Sequence, residues 1–328
     1  MNNNTELPSL STGEGQGVRL PKKIKNMKRQ NIRIFGIAAM MAISSMYLPA
    51  QVIHEFSAYG GGGLSTLQYK LTDGNRSGRM GGDFGMGYTF INANWQAVET
   101  GTVSSAQWGL HTGIGFGLYN AIANLKDVKT HSSSLKDDEG DDFYLHTTLS
   151  KYKEMQNAWY LNIPVMGLYQ TTMWNQLFYG MGGLKFGIPL SSKFKVKNTM
   201  LENEAEYYKL ENSIKEPQFA GYGKFNKSFD GNIGLDFSLI MALEGGVKWR
   251  ISNNLHIYTG LYFDYGLNNA SKGSYKEFVN FPKNNPSDFT TNSALTSYSN
   301  SNPKELKMFT EKIHLMAVGV KVRIALEK

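Results

Sequence analysis

Apolar side chains recur at every second position through most of the chain beyond residue 51. Between residues 108 and 122 the even positions read Trp108, Leu110, Thr112, Ile114, Phe116 and Leu118, and the odd ones Gly109, His111, Gly113, Gly115, Gly117 and Tyr119. A period of two marks a β-strand with two unlike faces. In a soluble sandwich the second face is usually charged and wet. Here it is mostly glycine, which suits a crowded barrel interior, where small residues leave room for large side chains from other strands. The same alternation predicts strands over residues 56–71, 80–90, 157–170, 178–190, 235–251, 255–267 and 312–326. Eight strands follow, each long enough to cross a bilayer at a tilt, which takes about 9 to 11 residues.

The joins between these strands alternate in length. Residues 171–176 and 252–254 make short turns, whereas 123–156, 199–231 and 268–311 are long. Short turns on one side and long loops on the other are the pattern of an up-and-down barrel with periplasmic turns and extracellular loops. The first two joins depart from it, with 72–78 short and 91–107 longer than a turn needs. The long joins read as solvated loops. The acidic run at residues 136–142 has several carboxylates but no EF-hand spacing, so it reads as a loop tip rather than a calcium site. Deleting residues 285–302 is accordingly expected to leave the barrel itself unchanged.

Polar residues on the non-apolar faces form the candidate site. Asp83, His111, Lys185, Asp236, Glu244, Lys248, Arg250, His256, Asp264, Lys321 and Arg323 all alternate onto the expected lumen side. An eight-stranded barrel is just wide enough inside for side chains to fill it. Charges there must pair, because an unpaired ion away from water costs several kcal/mol. Glu244 is expected to meet Lys185, and Lys248, Arg250, Lys321 and Arg323 to lie near the periplasmic end, in reach of water. The set is read as a structural plug. The alternative is a narrow cation-lined conduit for small anions.

No catalytic, cofactor or metal site is expected. His256 and Asp264 are eight residues apart, more than about 25 Å along a strand at about 3.3 Å per residue, and His131 and His146 fall in loops. An outer-membrane enzyme is therefore the remotest reading. The glycine runs at residues 60–63 and 113–117 are followed by no Gly-Lys-Ser/Thr and are not phosphate loops.

Composition changes the picture in two places. The 328 residues contain no cysteine, which removes disulfides, thiolate metal sites and cysteine nucleophiles. The net charge of +7 invites a nucleic-acid reading. Residues 1–50 hold seven Lys or Arg against two Glu, so the rest of the chain is near +2 and no nucleic-acid partner is expected. Within that N-terminal segment, Lys28, Arg29 and Arg33 precede an uncharged run from residue 34 to residue 48, ending Leu48-Pro49-Ala50. That is the order of a secretory signal. Residues 1–50 are thus expected to be an extension plus signal peptide, with a natural start at Met27 and cleavage near Ala50. Residues 51–328 are expected to be the barrel domain.

Four segments carry a family resemblance: Tyr160-Leu161-Asn162-Ile163-Pro164-Val165-Met166, Gly182-Gly183-Leu184-Lys185-Phe186-Gly187-Ile188-Pro189-Leu190, Leu243-Glu244-Gly245-Gly246-Val247-Lys248-Trp249-Arg250 and Met316-Ala317-Val318-Gly319-Val320-Lys321-Val322-Arg323. On these, residues 52–326 resemble the outer-membrane β-barrels of the OmpA-type, PorT-like superfamily of Gram-negative gut bacteria. The resemblance implies an all-β, eight-stranded transmembrane barrel in the outer membrane. The absence of recognisable chemistry and the length of the external joins lead to an expected role in envelope integrity with loops presented for binding. The expected partners are outer-membrane lipid, the barrel-assembly machinery during insertion, and a ligand at the external loops. Many relatives continue into a peptidoglycan-gripping domain, and wall anchoring is not expected of this chain.

Overall fold

The computed structural model describes residues 51–93, 106–132, 134–137, 139–207, 213–282, 286–302 and 305–328. The expected signal segment, with its start and cleavage positions, lies outside them. Eight long strands carry the fold: β1 (Gln51–Gln68), β2 (Met80–Ala93), β3 (Gln107–Leu125), β4 (Asp142–Met173), β5 (Gln176–Tyr207), β6 (Ser238–Arg250), β7 (Leu255–Gly266) and β8 (His314–Glu327). Each pairs antiparallel with the next, and β8 returns to β1 with Val320 opposite Gly62. The sheet is therefore closed, and all eight expected strands belong to it. No helix among the described residues is long and apolar enough to cross a membrane, which says nothing about strands.

Alternation sorts the two faces. Phe56, Phe84, Met86, Ile114, Val165, Ile188, Leu243, Leu261, Val320 and Ile324 point outward and are exposed, with Met86 at 74% and Leu261 at 67%. Aromatic residues stand at both edges of this apolar wall. Trp159 marks one edge, while Trp108, its cross-strand partner Tyr169, and Trp249 mark the other. The β4–β5 turn adds Trp174, 83% exposed. Trp174 and Asn175 both have positive φ, 48° and 60°, the geometry of a two-residue hairpin turn whose twist matches that of the strands.

Strands β4 and β5 do not stop at the barrel rim. Each is 32 residues long, and beyond Trp159 they continue as one ladder to the Phe143–Tyr207 pair. Bulges between Trp159 and Tyr160, and between Val196 and Thr199, bend this extension. Val128–His131 and Leu135–Lys136 add to its β4 side and Gly223–Asn232 to its β5 side. Much of the long joins is therefore strand rather than solvated loop. The β1–β2 join likewise contains a short strand, Gly74–Gly78, laid on the C-terminal end of β3, residues 121–125.

The join from β7 to β8 departs most from expectation. Phe278, Phe289, Leu295, Phe309 and Ile313 are buried, in one continuous core with Leu67, Tyr119, Tyr152, Tyr160 and Phe194 of the barrel strands. The rings of Tyr152 and Phe278 lie 5.1 Å apart and those of Phe278 and Phe309 4.8 Å apart. This segment is a cap on the end of the barrel opposite the short turns. Removing residues 285–302 would take Phe289 and Leu295 out of that core, so the deletion is not the neutral change expected from sequence.

One buried carboxylate pins the cap. Glu154 of β4 is wholly buried and accepts hydrogen bonds from Tyr152 Oη (2.7 Å), Gln156 Nε2 (2.8 Å), Ser293 Oγ (2.5 Å) and the Ala294 amide (2.9 Å). Burial pushes its pKa above the ordinary carboxylate value, outweighing these four donors, which pull it down. A raised folded-state pKa gives stability that is complete below the unfolded value, about 4.3, and is lost as pH rises through the folded value. Amide exchange across residues 290–297, corrected for its intrinsic rate, is therefore expected to slow between about pH 7 and about pH 4. Glu154→Gln should abolish that dependence.

Candidate functional site

The lumen holds four acids and four bases, each between 1% and 8% exposed: Glu55, Asp83, Glu244, Asp264, Lys185, Lys248, Lys321 and Arg323. They pair throughout. Lys185 Nζ donates to both oxygens of Asp264 at 2.8 and 2.7 Å and lies 3.9 Å from Asp83. Lys321 Nζ bridges Asp83 at 3.0 Å and Glu244 at 3.3 Å. Arg323 Nη2 donates to Glu244 at 2.8 Å, and Lys248 donates to Glu55, which also accepts the Tyr258 hydroxyl at 2.6 Å. The set is charge-balanced.

Glycines make this arrangement possible. Lys321 stands opposite Gly61 on β1 and Gly260 on β7, and Asp83 opposite Gly61 and Gly117, so the charged side chains have no side-chain neighbours in their own rows. A Cβ added at Gly115 would sit 2.0 Å from the Tyr59 hydroxyl, and one at Gly87 would sit 2.3 Å from the His111 ring. Gly115 of the glycine face on β3 is thus a notch that receives Tyr59, and Gly87 on β2 one that receives His111. Above and beside the ions, Tyr59 and Tyr262 turn ring faces to Lys321 at 4.9 and 4.6 Å.

The expected site residues divide as follows. Asp83, Lys185, Glu244, Lys248, Asp264, Lys321 and Arg323 meet in the lumen. His111 is buried there too, with Nδ1 2.8 Å from Thr89 Oγ1. Three expectations are corrected. Glu244 does not pair with Lys185, because the stagger of the closed sheet brings Asp264 to Lys185 and hands Glu244 to Arg323 and Lys321. Lys248, Lys321 and Arg323 are buried rather than water-exposed, each covered by a carboxylate partner. Arg250 is in reach of water at the 251–254 turn, as expected, and bonds Asn253 Oδ1 at 3.4 Å there, outside the lumen ion set. Asp236 precedes β6, and its carboxylate accepts the Phe237 amide at 2.8 Å instead of joining the lumen ions.

Glu55 escaped the sequence reading because β1 was expected to start at residue 56. Its backbone partner Glu327 is bonded to His256, Nε2 to Oε2, at 2.7 Å. Donor atoms of Glu55, His256 and Glu327 lie within 4.8 Å of one another, a spacing that a metal ion accepts. Lys248 and Tyr258 already engage Glu55, and Glu327 engages His256 Nε2, while His256 Nδ1 is buried without a hydrogen-bond partner among the described residues. His131 and His146 are opposed in the outer extension, their rings 4.1 Å apart, with His146 also against Glu206. His256 and Asp264 have separate partners, Glu327 and Lys185.

No protein-family model matches the chain, and no curated protein matches it. Among solved structures, the translocator domain of the autotransporter NalP from Neisseria meningitidis aligns with 92% of this chain and 97% of its own. Identity is 10% and the TM-score 0.19, so the two chains do not share one superposition.

Proposed function

We propose that this protein is an integral outer-membrane β-barrel without catalytic activity, of the OmpA-type, PorT-like kind. Its lumen is closed by its own ion pairs, and its outer hairpin and cap serve envelope integrity and surface binding. The observation that carries this reading is the inverted polarity of the wall: apolar side chains are exposed outward on all eight strands while eight charges pair inside. A water-soluble barrel has no use for such a wall, whereas a bilayer does. The short turns at 174–175 and 251–254 mark the periplasmic end and the hairpin and cap the outer end. On intact cells, protease is then expected to cut at the exposed stretch 213–219 and to spare the buried residues 293–297.

The competing conduit for small anions makes a different prediction. A lumen whose cations are all matched by carboxylates offers no free positive lining. Purified protein in planar bilayers is expected to show little or no conductance. Steady currents whose ion preference shifts on neutralising Lys248 would establish the conduit instead. The cheapest check comes first: the mature chain should require detergent, and full solubility in water overturns the membrane reading.

A further inference from the structure

The outer hairpin gathers its cations on one side. Beyond Leu190, β5 presents Lys193, Lys195 and Lys197 outward, with Phe194 and Val196 buried between them. Lys153 of β4 shares that face, and Arg79 approaches from the end of the β1–β2 join. Among the described residues none of these five cations makes an ion pair, in contrast to every lumen base. They begin one step above Trp159 and Leu190, the edge of the exposed apolar wall. The near-neutral charge of residues 51–328 hides this cluster because acids elsewhere offset it.

A cleft of about 560 Å³ opens between Arg79, Lys193 and Lys195, and its lining includes Asn157, Asn232 and Asp230. Two of the lining amides are fixed: Asn157 Nδ2 donates to Asn120 Oδ1 at 2.8 Å, and Asn120 Nδ2 donates to the Met80 carbonyl at 2.9 Å. Alternate residues on a strand are spaced about 6.6 Å apart, so neighbouring lysines can flank a single phosphate. A phosphate monoester on a simple lipid needs only the cations. Amides and a carboxylate beside them suit the hydroxyls of a sugar.

We propose that this cleft binds the phosphorylated sugar headgroup of a glycolipid in the outer leaflet. The inference rests on the membrane placement and orientation proposed above. Basic side chains at that level lie among the headgroups, where each contributes about fivefold in affinity.

The test compares the unaltered protein with Lys195→Gln and with the triple variant Arg79→Gln/Lys193→Gln/Lys195→Gln, which neutralises the three cations that line the cleft, each verified as a folded barrel by its heat-dependent gel mobility. Each is reconstituted in phosphatidylcholine vesicles doped with bisphosphorylated lipid A, with the same glycolipid dephosphorylated, or with phosphatidylglycerol. Retained lipid is then measured by native mass spectrometry after extraction. The unaltered protein is expected to keep the bisphosphorylated glycolipid alone, and to keep it against competing inorganic phosphate. The single variant should lose about fivefold and the triple variant on the order of a hundredfold. Equal retention by protein and triple variant, retention of the dephosphorylated form, or displacement by inorganic phosphate overturns the inference. Equal retention of phosphatidylglycerol overturns the sugar assignment. A chain that stays in water and enters no vesicle fails at the membrane reading instead, and the inference falls with it.

Discussion

Glu244→Gln is expected to cost the barrel about 3 to 5 kcal/mol, the range for removing one partner of a buried ion pair. The Glu244 carboxylate faces Arg323 at 2.8 Å and Lys321 at 3.3 Å, and it accepts the Tyr179 hydroxyl at 3.1 Å. Without its charge, two cations that are at most 4% exposed share the remaining anions Asp83 and Asp264. Urea titration of the protein folded in lipid vesicles should show a lowered midpoint at unchanged slope. Adding Arg323→Met to Glu244→Gln should restore much of the loss, because deleting both partners leaves no orphan charge. A loss below about 1 kcal/mol for the single change is the value of a solvent-screened pair and would mean a wet, open lumen, contrary to the plugged reading.

The second large effect belongs to the outer wall. Val320 is 61% exposed and stands between Leu261 of β7 and Gly62 of β1. In lipid, Val320→Arg is expected to cost about 2 to 4 kcal/mol if the residue lies near the midplane. Leu326→Arg, on the same strand and face but at its turn end, should cost only about 0 to 1 kcal/mol. This gradient is the diagnostic. Equal, small effects at both sites would place the wall in water.

The eight strands were legible because a closed sheet with one apolar and one crowded face writes a period of two into every strand. Their lengths were not. The bulge opposite Trp159 and Tyr160 adds a residue to β5 and shifts its alternation, so Lys193, Lys195 and Lys197 take the outward positions there, while on β4 the unshifted outward positions pass to Lys151 and Lys153; both stretches resemble a solvated loop. The cap was illegible for another reason. Phe278, Phe281, Phe289, Leu295 and Phe309 are spaced irregularly and meet only in three dimensions. Most of the lumen set could be listed from the pattern, but not its pairing. Lys248 and Glu55 are 193 residues apart, and only ring closure with its stagger decides which carboxylate a given lysine meets. The rim member Asp236 was misplaced because alternation gives a face and not the point at which a strand begins.

The long β4–β5 pairing, bulged but running from turn to tip, also has a mechanical meaning. Bonds between antiparallel strands run perpendicular to the strand axis. A tug on the hairpin tip, directed along that axis, therefore loads the rungs to β3 and to Gly223–Asn232 in shear, many at once, instead of peeling them singly. The hairpin is rooted in the same strands that carry the lumen ion Lys185 and the turn at Trp174 and Asn175. Whatever grips the tip pulls on the whole barrel, so the protein resists detachment as an anchored post does.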